Sequence, residues 1–126
     1  MSMQMSLFKE VDEKHVRSLV AKELKLYRAL KIQSQNKEEQ KVHGVINLFP
    51  SLRDRSEEAT LKIKQIERAL YELLDDTEKL IIELKYLSNN VFSDLYIMEE
   101  VGLKKDQFYR KKRSAINMIA TALAII

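Results

Sequence analysis

"VGLKKDQFYRKKRSAI", Val101 to Ile116, gathers six cationic residues within ten positions directly behind a glycine. The chain before it is acidic: between Leu61 and Leu103 nine Asp/Glu stand against five Lys/Arg. From Lys104 to the C-terminus six Lys/Arg stand against one Asp, so the sign of the charge changes at Gly102. A glycine flanked by two apolar residues, with a helical pattern on either side, reads as the turn of a helix-turn-helix. Val101 and Leu103 would wedge the two helices apart, while Gly102 takes a backbone conformation that a side chain resists.

The rest of the chain agrees with a helical reading. Two glycines and one proline in 126 residues leave long segments uninterrupted, and Leu, Lys, Glu, Ala and Ile fill them. The length suits one domain with a modest core. The expected fold class is all-α: a long N-terminal helix plus a C-terminal helix-turn-helix bundle. Apolar residues at helical spacing (Val16, Val20, Tyr27, Leu30, with Leu19 and Leu24 between) mark a first helix from Leu7 to Gln40. Gly44 and Pro50 punctuate the connector "KVHGVINLFPSLRDRSEEAT", in which "NLFP" is expected either to dock as an apolar clip or to serve as a flexible hinge.

Leu61, Ile63, Ile66, Leu70, Leu73 and Leu74 form the apolar stripe of a second helix that stops at "DDTE". There Asp75 or Asp76 can cap a third helix, with Glu78 placed for a capping box. That helix carries Leu80, Ile81, Leu84 and Leu87 and ends at "SNN"; a short helix from Ser93 is expected to bury Leu95, Met98 and Val101. Residues 1–40 are thus expected to form a helical segment for packing or dimerisation, 41–56 a connector and 57–126 the helix-turn-helix domain.

On the last helix Phe108, Lys112, Ala115, Ile116, Ile119 and Leu123 fall on one stripe at about 100° per residue. Lys112 lies at its edge, where its stem can cover apolar surface while the ammonium reaches out. Asp106, Gln107, Arg110, Arg113, Ser114 and Asn117 lie opposite, flanked by Tyr109 and Lys105 on one side and Lys104 and Lys111 on the other. A recognition helix requires forked or amide side chains to read base edges and lysines to hold phosphates. Base reading falls to Lys105, Asp106, Tyr109, Arg110 and Arg113, and phosphate contact mainly to Lys104, Lys111 and Lys112.

Other chemistries find little support. With no cysteine, and with His15 and His43 far apart, neither a metal site nor another cofactor is expected. No P-loop or nucleophile motif occurs, so no enzyme is expected. "MSMQMSLFKEVDEK" lacks the pattern of a signal peptide, and "AINMIATALAII" is far shorter than the roughly 20 residues a membrane span needs. The expected location is the cytoplasm, away from membranes.

The last four helices resemble region 4 of the bacterial housekeeping sigma-factor family, where a helix like "DDTEKLIIELKYLS" precedes a scaffold helix, a glycine turn and a basic recognition helix. More closely, "NLFPSLRDR…IERALYELLDDTEKLIIELKYL…DLYIMEEVGLKKDQFYRKKRSAINMIATALAII" resembles the ArpU family of phage and prophage transcriptional regulators. The likeness runs from about Asn47 to Ile126, with "FYRKKR" its most specific feature; "LKLYRALK" fits more loosely. It implies a cytoplasmic regulator of a Gram-positive bacterium or its phage, associated with late genes for packaging and lysis. Carried over from sigma region 4, the promoter-contacting positions are Lys104, Lys105, Asp106, Tyr109 and Arg110. Tyr109 and Lys111 depart from the sigma pattern, where a basic and an apolar residue stand.

The partners expected are double-stranded DNA, a second copy of the chain and RNA polymerase. Two other functions fit the same residues: a non-catalytic phage packaging module that assembles into rings, and a sigma-like module that binds polymerase without reading bases.

Overall fold

The computed structural model describes residues 12–45, 47–54 and 56–126, and among these the chain is all-helical. Five helices follow in order: α1 (Glu13–Val42), α2 (Ser56–Arg68), α3 (Asp76–Ile82), α4 (Asp94–Val101) and α5 (Lys105–Ala122). The expected start of α1 at Leu7, and the leading "MSMQMSLFKEV", lie outside the described residues.

Helix α1 begins where Asp12 accepts a hydrogen bond from the Lys14 backbone N–H. Its first half buries Val16, Val20, Leu24 and Tyr27, which recur three or four residues apart and so share a face. Beyond Lys31 α1 is exposed almost throughout and touches the rest of the molecule through polar ends, as where Lys37 Nζ donates to Ser56 Oγ at 3.1 Å. Three further bonds tie α1 to α2. Tyr27 Oη donates to Glu67 at 2.9 Å, Lys31 pairs with the same carboxylate at 2.9 Å, and Lys62 pairs with Glu23 at 3.2 Å.

Helices α2 and α3 each end in a single π-helical turn, Ala69–Leu73 and Glu83–Leu87. A π turn is wider than an α turn, so residues four apart keep the inward direction and those three apart swing outward. Hence Ile66, Leu70 and Leu74 are buried while Leu73, expected on the stripe, is exposed. Leu61, in the α-helical part before the turn, is exposed as well. In α3 the inward pair is Ile81 and Ile82, and Leu80 turns outward, correcting the expected set. The capping box that opens α3 is present: Glu78 N–H donates to Asp75 at 2.7 Å and Asp75 N–H donates back to Glu78 at 3.0 Å.

Helix α4 is capped by Ser93, whose Oγ accepts from the Tyr96 N–H. It buries Ile97, not the expected Leu95, which is 64% exposed; Met98 and Val101 are half-buried. Gly102 takes the left-handed conformation with φ 69°, and the N–H groups of Gly102 and Leu103 bond to the carbonyls of Glu99 and Met98. This is a Schellman ending, which satisfies carbonyls that the helix end would orphan.

Two apolar clusters result, and α5 runs through both. Its first turn places Phe108 against Ile81 and Ile97, with Leu84, Met98, Val101 and Leu103 around them. Further along, Ala115, Ile116, Ile119 and Ala120 meet Val16, Val20 and Leu24 of α1, Ile66 of α2 and Leu70 of the π turn that follows it. The "NLFP" clip does not dock: Leu48 is 55% and Phe49 76% exposed. No helix among the described residues is long and apolar enough to cross a membrane.

Candidate functional site

Helix α5 is held at several places, which fixes the direction of every other side chain on it. Its buried face is Phe108, Ala115, Ile116, Ile119 and Ala120, all 5% exposed or less. Phe108 enters the small cluster one turn into the helix, and its N–H bonds to the Lys104 carbonyl at 2.8 Å. The opposite face of the first turns is therefore directed to solvent.

The eight residues singled out in the sequence divide into two groups. Lys104, Lys105, Asp106 and Arg110 are exposed, and none makes an ion pair within 4.0 Å among the described residues. Gln107 is exposed between them. Arg110 thus points away from the interior.

Tyr109, Lys111, Lys112 and Arg113 are each engaged by an acid from another element. Lys111 Nζ lies 2.6 Å from Asp75, the residue that caps α3. Lys112 Nζ lies 3.2 Å from Asp94 at the start of α4. Tyr109 Oη donates to the same Asp94 at 3.3 Å, and Arg113 Nε lies 3.8 Å from Glu13 of α1. The expectation that the Lys112 ammonium reaches outward is corrected: its side chain is only 11% exposed, and its end turns into the molecule toward Asp94.

The electrostatics follow from these contacts. Burial pushes the Asp94 carboxyl up, but hydrogen bonding from Lys85, at 3.0 Å, and the Lys112 charge outweigh it and hold the group below the ordinary carboxylate range. Burial pulls the Lys112 ammonium below the usual lysine range, and attraction to Asp94 offsets this only in part; Lys85 and Arg17 add repulsion. Asp75 is held low by the backbone N–H of Glu78 and then by Lys111, and the bond to Asp75 in turn raises Lys111.

Beside α5 runs a groove of about 690 Å³ whose cations the sequence did not associate with this helix. Lys14 and Arg17 of α1 and Lys85 and Tyr86 of the π turn after α3 line it together with Tyr109, Lys112 and Arg113. Arg17 flanks the Val16–Val20 stripe of α1, so its outward direction was legible. Its proximity to α5 depends on a packing of two distant helices. Among the described residues no cluster of His, Cys, Asp or Glu could hold a metal ion.

Chemically, the exposed start of α5 offers a fork of five N–H donors at Arg110, an amide at Gln107, an acceptor at Asp106 and two ammonium groups. Such a set suits hydrogen bonding to an extended, acceptor-rich anionic surface. Comparison with protein-family models, with curated proteins and with solved structures gives no match.

Proposed function

We propose that this chain is a sequence-specific DNA-binding transcription regulator, with α4, Gly102 and α5 acting as a helix-turn-helix and α5 as the helix that enters the major groove. One observation carries the reading. The first turns of α5 present Lys104, Lys105, Asp106 and Arg110 to solvent, each without an ionic partner among the described residues, while cations further along α5 are tied to acids. Cations and hydrogen-bonding groups left unpaired on a rigid helix are what base and phosphate recognition requires.

In this reading Arg110, Lys105 and Asp106 meet base edges, with Tyr109 and Arg113 at the rim. Lys104 holds a phosphate, and Lys111 and Lys112 contribute chiefly by fixing α5. The resemblance to the ArpU family makes the proposed role activation of phage or prophage late genes in a bacterial cytoplasm.

One helix unit buries limited surface on DNA, so a second copy of the chain or RNA polymerase supplies further affinity. Helix α1, whose second half is exposed almost throughout, is the surface proposed for this contact. Selection of bound sequences from random duplex DNA tests the proposal. A defined motif of several base pairs is expected; recovery of no motif contradicts it. Mass measurement by light scattering separates a dimer from the rings that a packaging module would form.

A further inference from the structure

The groove beside α5 carries more positive charge than its own acids balance. Five cationic side chains line it against two carboxylates, Glu13 and Asp94. Asp94 is shared between Lys85 and Lys112, at 3.0 and 3.2 Å, while Glu13 meets Arg113 only at 3.8 Å. Lys14 and Arg17 make no ion pair within 4.0 Å among the described residues. Lys85 and Arg17 both act to discharge Lys112, so the cations repel one another across the groove. An arrangement of this kind gains energy when an anion enters.

Tyr109 and Arg113 belong both to α5 and to the groove wall, so the groove continues from the helix surface toward α1. We infer that the groove is a phosphate site that receives the backbone of the DNA strand leaving α5, with Arg17 as its principal cation and Lys14 beside it. The inference rests on the DNA-binding reading of α5 and extends the footprint onto the first helix. The groove takes a phosphodiester and reads no base.

The test uses the full chain, a duplex containing the selected motif and a random duplex of equal length. Arg17 is exposed and outside the apolar core, so Arg17→Ala should fold, which a thermal melt verifies. Lys64→Ala removes the same charge from an exposed position on α2 that does not line the groove. Arg17→Ala should weaken both duplexes by the same factor and lower the salt slope by about one, so that the wild-type advantage shrinks roughly threefold between about 50 and 200 mM salt. Lys64→Ala should leave the slope unchanged. Equal salt slopes for Arg17→Ala and wild type overturn the inference.

A titration with inorganic phosphate, followed through the amide resonances of Lys85 and Tyr86, separates the two readings. If the wild-type chain binds no duplex while phosphate shifts those resonances, the DNA reading of α5 fails. The groove is then a site for a free phosphate group, which overturns the strand assignment. If neither binds, both readings fall.

Discussion

Asp94 Oδ1 lies 3.2 Å from the Lys112 ammonium, across the turn that joins α4 to α5. Because Asp94 opens one helix and Lys112 sits mid-way along the next, the pair sets the rotation of α5 as well as its distance. Lys85 and Tyr109 close on the same carboxylate. A group with several donors around it, only 26% exposed, tolerates loss of its charge poorly.

Asp94→Asn should therefore lower stability by roughly 1–3 kcal/mol in urea unfolding, since a mostly buried ammonium loses its counter-charge. The pH dependence has a defined sign. Asp94, Asp75 and Glu67 are all held below their ordinary values when folded. Their contribution is complete above the unfolded carboxylate range of about 4 and is lost as pH falls through the lower folded values. Melting temperature should fall on acidification below about pH 4.5, and Asp94→Asn should make that fall shallower.

Gly102 and Ala124 share one conformation and offer opposite predictions. Gly102 has φ 69°, and a Cβ added there would meet nothing within 4 Å. Gly102→Ala should therefore cost only the backbone penalty of the left-handed region, about 1–2 kcal/mol, with Asn costing less. Ala124, at φ 58°, ends α5 in a second Schellman pattern. Ala124→Gly should raise stability, by up to about 1 kcal/mol, and urea midpoints check both.

Asp75 serves two partners that substitution can separate. Asp75→Ala removes the cap of α3 and should cost roughly 0.5–2 kcal/mol. Asp75→Asn keeps a capping side chain but releases Lys111 from its 2.6 Å pair. The Asn variant should retain most of the stability and bind all DNA more tightly at low salt, with a steeper salt slope. Unchanged DNA binding would mean that Lys111 lies beyond reach of the duplex.

Much of the fold was legible in the sequence where a local rule applied. The Asp75–Glu78 box, the helix start near Ser93, the turn at Gly102 and the start of α5 each depend on residues within a few positions of one another. Errors arose where local geometry departs from the regular helix. The π turns rotate Leu73 outward, and in the eight residues of α4 several apolar positions compete, with Ile97 rather than Leu95 inward. The outward direction of Arg110 followed from periodicity alone. The fate of Lys111 and Lys112 did not, because their partners lie 36 and 18 residues away and are brought close only by packing. The cationic groove was hidden for the same reason, since Arg17 reaches α5 from the far end of the chain.

The central claim is that the exposed start of α5 reads DNA bases through Arg110. Equilibrium binding of Arg110→Ala to the selected duplex and to a random duplex tests it most directly. Affinity for the selected duplex should fall by roughly 1–3 kcal/mol, with a much smaller change on random DNA and relaxed preference at one position of the motif. Equal losses on both duplexes, or no loss on either, would contradict it.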